Sequence, residues 1–441
     1  MSKNLISALL VFGACAAAQP QPAAIAIRNV KIVTVSGPAI DKGAVVLRDG
    51  LIESVGANVT PPPDAMVIEG EGLTVYPGLI DALSTWGMPD SGATNGRGGR
   101  GGAAAPAGPR AWGPEDRPQT TSWIKAADLM QPNDRRFEAA RDAGFTTAVA
   151  FPTSGIFGGQ GSIVNLAGEK TADMVLVPSV GQYIALHTSP FGAGFPSSLM
   201  GVIAYVRQIY LDAGHYQAVK AAYDRDPRGM KRPDYDRALE GVIESKRILL
   251  PANRWVEIER MVRFGEELKQ PTILYGMREG FDPRSVDHLK GKNMPVLVSL
   301  KWPEAPRDAN PDDVASLRVL EDRDKAPAAP AVLHQAGLAF AFYSDGIDQT
   351  RDLERAVKKA IDGGLPREAA VRALTLTPAE IYGVADRLGS IEKGKIANLV
   401  VTRGEIFEDR TKVEMVFIDG VKHTPAPQTG GRGAAATENH K

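Results

Sequence analysis

Leu73-Thr74-Val75-Tyr76-Pro77-Gly78-Leu79-Ile80-Asp81-Ala82-Leu83-Ser84-Thr85 is the stretch on which the fold turns. Leu73 to Ile80 reads as an apolar strand, and the sequence on its two sides differs in kind. Before it, Ala24 to Gly72 is rich in short β-branched runs such as Ile27, Val30, Ile32, Val33 and Val35. Val45 to Ile52 carries Asp49-Gly50, the pair that supplies the positive φ angles of a tight hairpin turn. The far end of the chain repeats this pattern. Asn398 to Val401 reads as a strand, and Val413 to Ile418, Asp419-Gly420 and Val421 as a second hairpin. Neither end has enough strands to bury its own apolar face, so residues 24–72 plus 389–423 are expected to form one composite β domain.

After the quoted stretch, apolar strands alternate with helices. Thr146 to Phe151, Arg247 to Leu250, Thr272 to Tyr275, Pro295 to Leu300 and Leu338 to Tyr343 are short apolar runs. Between them, Trp255, Ile258, Met261, Val262 and Leu268 recur at helical spacing after Asn253, a capping residue type. Leu353, Ala356, Val357, Ala360 and Ile361 do the same before Gly363-Gly364. This alternation predicts a parallel barrel with helices outside, over residues 73–388; a doubly wound open sheet is the structural alternative. Residues 89–120 are rich in Gly, Ala, Arg and Pro and read as a flexible loop after the first barrel strand. Residues 424–441 read as a disordered tail.

Residues 1–18 have the form of a signal peptide: Lys3, an apolar run from Leu5, and Ala16-Ala17-Ala18 before Gln19. That run is too short for a membrane span. The only cysteine, Cys15, lies within it, so the mature chain carries no thiol and suits a secreted or periplasmic setting. Phe12-Gly13-Ala14 makes a poor lipid-attachment context for Cys15. A formal net charge of −1 argues against nucleic acid or an anionic membrane surface as partner.

Val75 to Ala82 resembles the first barrel strand of the amidohydrolase superfamily, in which Pro-Gly-Leu-Ile-Asp-Ala is followed by His-x-His. Ser344-Asp345-Gly346 is similar to the end of the family's last barrel strand, and Leu374 to Gly383 to its closing helix. Leu388 to Val401 is similar to its return to the β domain. Gly158-Gly159-Gln160-Gly161 and Phe195 to Gly201 look like the imidazolonepropionase-like branch. The resemblance implies an α/β fold, a TIM-like (β/α)8 barrel with a composite β-sandwich domain formed from both termini. It also implies zinc or another divalent metal, which polarises a carbonyl and lowers the pKa of bound water for hydrolysis of amides, cyclic imides or amidines.

Against that pattern, Leu83 and Thr85 stand where the paired histidines would be. Leu250-Pro251-Ala252-Asn253 aligns with the family's x-His-Ala-Asn, which puts Pro251 at the fifth-strand ligand position. Tyr275 or Gly276 takes the sixth-strand position. Asp345 remains, the family's metal ligand and general base. Without a cation it needs a partner, and Arg278, Arg254 and Lys301 are the candidates. Of six histidines, His187 alone ends a run that reads as a barrel strand, Gln182 to Leu186, and so could line a pocket. His215, His288, His334, His423 and His440 read as surface or packing residues or lie in the tail.

Gly158 to Gly161 is too short for a phosphate loop and reads as a tight turn at the barrel mouth. Asp345 and His187 are the catalytic candidates, and Gly159, Gln160, Tyr275 and Arg278 the substrate-binding ones. No metal or other cofactor is expected. Two functions follow: hydrolysis of non-peptide C–N bonds in reduced, metal-poor form, or a non-catalytic homologue. The second binds a small molecule, forms a homo-oligomer, or pairs with an active amidohydrolase.

Overall fold

The computed structural model describes residues 24–89, 117–189, 195–306, 314–347, 349–408 and 411–425. The segment read as a signal peptide, with Cys15, most of the 89–120 segment and nearly all of residues 424–441 lie outside the described residues.

The chain opens with β1 (Ala24–Ile32), β2 (Ile40–Arg48), β3 (Leu51–Gly56), β4 (Ala65–Glu69) and β5 (Leu73–Pro77). The barrel strands are β6 (Leu79–Ser84), β7 (Phe145–Ala150), β8 (Phe157–Asn165), β9 (Val175–Ile184), β10 (Ile248–Ala252), β11 (Thr272–Gly276), β12 (Val296–Ser299) and β13 (Phe340–Tyr343). The chain closes with β14 (Leu399–Arg403), β15 (Lys412–Ile418) and β16 (Val421–His423).

Both ends of the chain share one sheet, in the order β16-β15-β14-β5-β1-β2-β3 with β4 beside β1. The join is β14 on β5, antiparallel from Leu399↔Pro77 to Arg403↔Leu73. Ile27, Ile32, Val45 and Val75 from one end are buried with Leu399, Val401 and Phe417 from the other. Both Asp-Gly pairs adopt the positive φ angles read from sequence: Asp49 at 50° and Gly50 at 77°, Asp419 at 51° and Gly420 at 74°. The two turn tips also touch. A Cβ on Gly420 would fall 3.1 Å from Cα of Gly50, so a side chain at Gly420 would have to displace the neighbouring turn.

The second sheet runs β6 to β13 in sequence order, and its ends meet. Asp81 on β6 accepts hydrogen bonds from Ser344, just beyond β13, at 3.0 Å from its backbone N and 2.5 Å from its hydroxyl. Alternate residues face the lumen: Ile273 and Tyr275, Leu297 and Ser299, Ala341 and Tyr343. Leu274, Val296, Val298, Phe340 and Phe342 belong to the outer cluster with the helices.

Several local expectations need correction. Leu73 to Ile80 is two strands in two sheets, parted at Gly78. A Cβ on Gly78 would lie 2.1 Å from Oγ1 of Thr146, so only glycine lets the chain cross from the β domain into the barrel here. The ring is not wholly parallel either: β8 runs antiparallel to both β7 and β9. The helix Trp255–Leu268 is capped by Glu257, whose carboxylate accepts from the backbone N of Asn253 at 3.0 Å and of Arg254 at 3.1 Å, and not by Asn253. Arg117, in the segment read as free loop, is held by ion pairs to Asp212 and Asp236, each at 2.8 Å. Among the described residues, no helix is long and apolar enough to cross a membrane.

Candidate functional site at the barrel mouth

Seven of the eight barrel strands point the same way, so their C-terminal ends share one mouth. Functional groups of such barrels are placed there. Leu83 lies near the end of β6 and Thr85 directly after it, Pro251 on β10 and Tyr275 on β11. Pro251 and Tyr275 are partners in the β10–β11 register. Asp345 follows β13, Arg278 follows β11 and His187 follows β9.

Leu83 and Tyr275 are buried together, at 6% and 9% exposure, in the lumen cluster. Around them stand residues that sequence reasoning missed. Tyr183 stacks on Tyr275 with ring centres 5.3 Å apart, Tyr343 meets Tyr275 edge-on at 6.4 Å, and Phe151 meets Tyr183 at 6.2 Å. The Tyr275 hydroxyl donates to the backbone oxygen of Ile184 at 3.1 Å. Burial pushes all three tyrosine hydroxyls above their ordinary pKa, and the Asp345 carboxylate nearby adds to the push on each. They are therefore neutral at neutral pH and poor metal ligands. Counting back by two from Asp345 along β13 reaches Tyr343, which is the signal that could have found it.

Asp345 is exposed and sits at a positive φ of 51°. Its partner is none of the three cations expected. Ser299, the last inward residue of β12, donates its hydroxyl to Oδ2 of Asp345 at 2.7 Å, and Ser299 Oγ accepts from the backbone N of Lys301 at 3.0 Å. Arg254 lies 4.0 Å from Glu279, a buried carboxylate that also accepts from Arg318 and from the backbone N of Trp255 at 3.0 Å. Arg278 and His187 are both exposed.

The glycine-rich run is not a loop. Gly158 to Gly161 lies inside β8, and Gln160 is fully buried. Its side-chain N donates to the carbonyls of Ser122 at 3.2 Å and Gly241 at 3.0 Å, and its oxygen accepts from Ser179. This leaves Gln160 a structural tie with no polar atom to spare for a substrate. The glycines serve packing: a Cβ on Gly161 would fall 2.2 Å from the Phe151 ring, and one on Gly159 would fall 2.7 Å from the carbonyl of Ile124.

Asp81 is fully buried between β6 and β13. Burial pushes its carboxyl up to about 6, against the opposing effect of the Ser344 hydrogen bonds.

The Amidohydrolase family model matches residues 252–422. An amidohydrolase from Thermotoga maritima is similar in structure over 91% of this chain and 100% of its own, with a TM-score of 0.73 and 25% identity. Molinate hydrolase shares the fold at a TM-score of 0.52 and 14% identity, over 91% of this chain and 94% of its own. Urease subunit alpha of Yersinia pestis is 32% identical over 164 residues, 32% of this chain and 26% of the relative. The chain thus spans about a quarter of the length of the curated relatives it matches.

Proposed function

We propose, of a chain that belongs to the amidohydrolase superfamily, that its barrel has given up metal-dependent hydrolysis of C–N bonds and serves as a non-catalytic member. In that role it binds a small molecule or pairs with an active amidohydrolase. The observation that carries this reading is the set of side chains at the strand ends. Zinc takes nitrogen, sulfur or carboxylate donors. Leu83 and Pro251 have none to give, and the buried Tyr275 hydroxyl is already committed to Ile184. Among the described residues no three His, Cys, Asp or Glu side chains come together where an ion could sit. The residues present do not fit the metal that the family implies. The leader-like residues 1–18 support a secreted or periplasmic setting for this role.

The test is elemental analysis of protein purified without chelator, followed by zinc titration. Weak or no zinc binding is expected, and Leu83→His with Thr85→His should raise affinity only modestly while Pro251 remains. About one tightly held zinc per chain would overturn the reading. His187 would then be the first residue to mutate.

A second reading, residual hydrolysis through Asp345 and His187, is favoured by the exposure of both residues at the mouth. It requires amide or cyclic-imide turnover that survives chelation and disappears in Asp345→Asn.

A further inference from the structure

The other end of the barrel carries a cavity of about 710 Å³, lined by the segments that lead into β10, β11, β12 and β13. Four cations border it: Lys246, Arg247, Lys290 and Lys292. Lys292 is paired with Glu266 at 2.5 Å, and the one bordering acid, Glu380, is held by Arg372 at 2.7 Å. Lys246 and Lys290 have no acidic partner among the described residues.

Arg247 is the telling residue. It is half-buried, donates to the backbone oxygen of Ile381 and lies 5.8 Å from the centre of the Tyr382 ring, but has no carboxylate partner among the described residues. Burial lowers its pKa, as expected of a cation partly taken out of water that a carbonyl and a ring face but no described carboxylate does. The fold makes room for it: a Cβ on Gly181 would fall 2.7 Å from Cγ of Arg247. A partly desolvated guanidinium is costly unless an anion faces it. The rest of the lining is largely apolar, with Ile273, Met294 and Leu338 among it. A cavity of this size suits a small organic molecule.

We propose that this face of the barrel is a binding site for a phosphate monoester with an apolar body. The Arg247 fork and the two unpaired lysines would meet the phosphate, since guanidinium and ammonium groups are the side chains that recognise it. The apolar wall would cover the remainder.

The experiment is calorimetric titration of the full chain with phenyl phosphate and with inorganic phosphate. Lys246→Ala/Lys290→Ala is the test variant, both residues being exposed, and Lys422→Ala, an exposed lysine on β16 in the other sheet, is the control. Phenyl phosphate should bind, weaken about tenfold or more in the double variant, and be unchanged in the control. Equal affinity in the double variant, or no binding in the millimolar range, would overturn the site. Inorganic phosphate binding as tightly as phenyl phosphate would overturn the apolar-body assignment.

Discussion

The two ends of this barrel are built from different kinds of side chain. At the C-terminal mouth, where the fold places chemistry, Tyr183, Tyr275, Tyr343, Phe151 and Leu83 pack into a continuous buried cluster. At the opposite end, usually a place of structural packing, a half-buried arginine and two lysines with no acidic partner among the described residues line an open cavity. Strand order, the Asp81–Ser344 closure and the β14–β5 junction all form with tyrosine at the mouth. At the mouth these aromatic side chains form a packing solution of their own.

The comparison breaks most sharply under truncation. Tyr275→Ala should cost about 3–5 kcal/mol, since it empties a stacked, buried position. Leu338→Ala, half-buried on the cavity wall, should cost about 1 kcal/mol because part of its surface already faces open space. Urea unfolding of the two variants checks this. Equal costs would mean that the mouth is as loosely packed as the other end.

Asp81 gives a pH test of the same closure. Its carboxyl titrates at about 6 when folded and near the ordinary aspartate value of 3.8 when the chain unfolds, so the folded chain binds the extra proton between those values. Its contribution is therefore fully present below about pH 4 and is lost as pH rises towards 6, a penalty on the order of 3 kcal/mol at neutral pH. Asp81→Asn keeps an acceptor for the Ser344 N–H and removes the titration. The difference in Tm between wild type and variant should shift in the variant's favour across pH 4 to 6 and level off above. A difference that stays flat across that range would show that Asp81 is not held in the desolvated state described.

Much of the fold was legible because its signals are local. The two Asp-Gly turns announce their φ angles, and Leu353, Ala356, Val357 and Ala360 mark one buried helix face. The pairing of the two chain ends followed from the shortage of strands at each. What was not legible depended on packing between distant segments. Gly78 reads as part of a strand until Thr146 is placed beside it, and Gly158 to Gly161 reads as a loop until the Phe151 ring is placed beside Gly161 and the Ile124 carbonyl beside Gly159. At the site, the sequence puts Leu83 and Pro251 at positions where the resemblance implies histidines. The aromatic cluster around Leu83 was not legible, because Tyr183, Tyr275 and Tyr343 come from three separate strands.

The smallest effect distinguishes two accounts of Asp345 at the mouth. If Asp345 were balanced by a cation, Lys301→Ala would leave the carboxylate uncompensated, and stability would fall. The hydrogen bond from Ser299 at 2.7 Å makes a different demand. Asp345 is exposed, so water solvates its charge, and the serine mainly fixes where the carboxylate points. Ser299→Ala should then cost about 1 kcal/mol, the net worth of a hydrogen bond to a group that water can still reach. Lys301→Ala should stay within about 0.5 kcal/mol of wild type, as exposed substitutions usually do. Chemical denaturation of both variants gives the comparison. A larger loss from Lys301→Ala than from Ser299→Ala would restore the ion-pair account and with it a more polar, more charged mouth than the aromatic cluster describes.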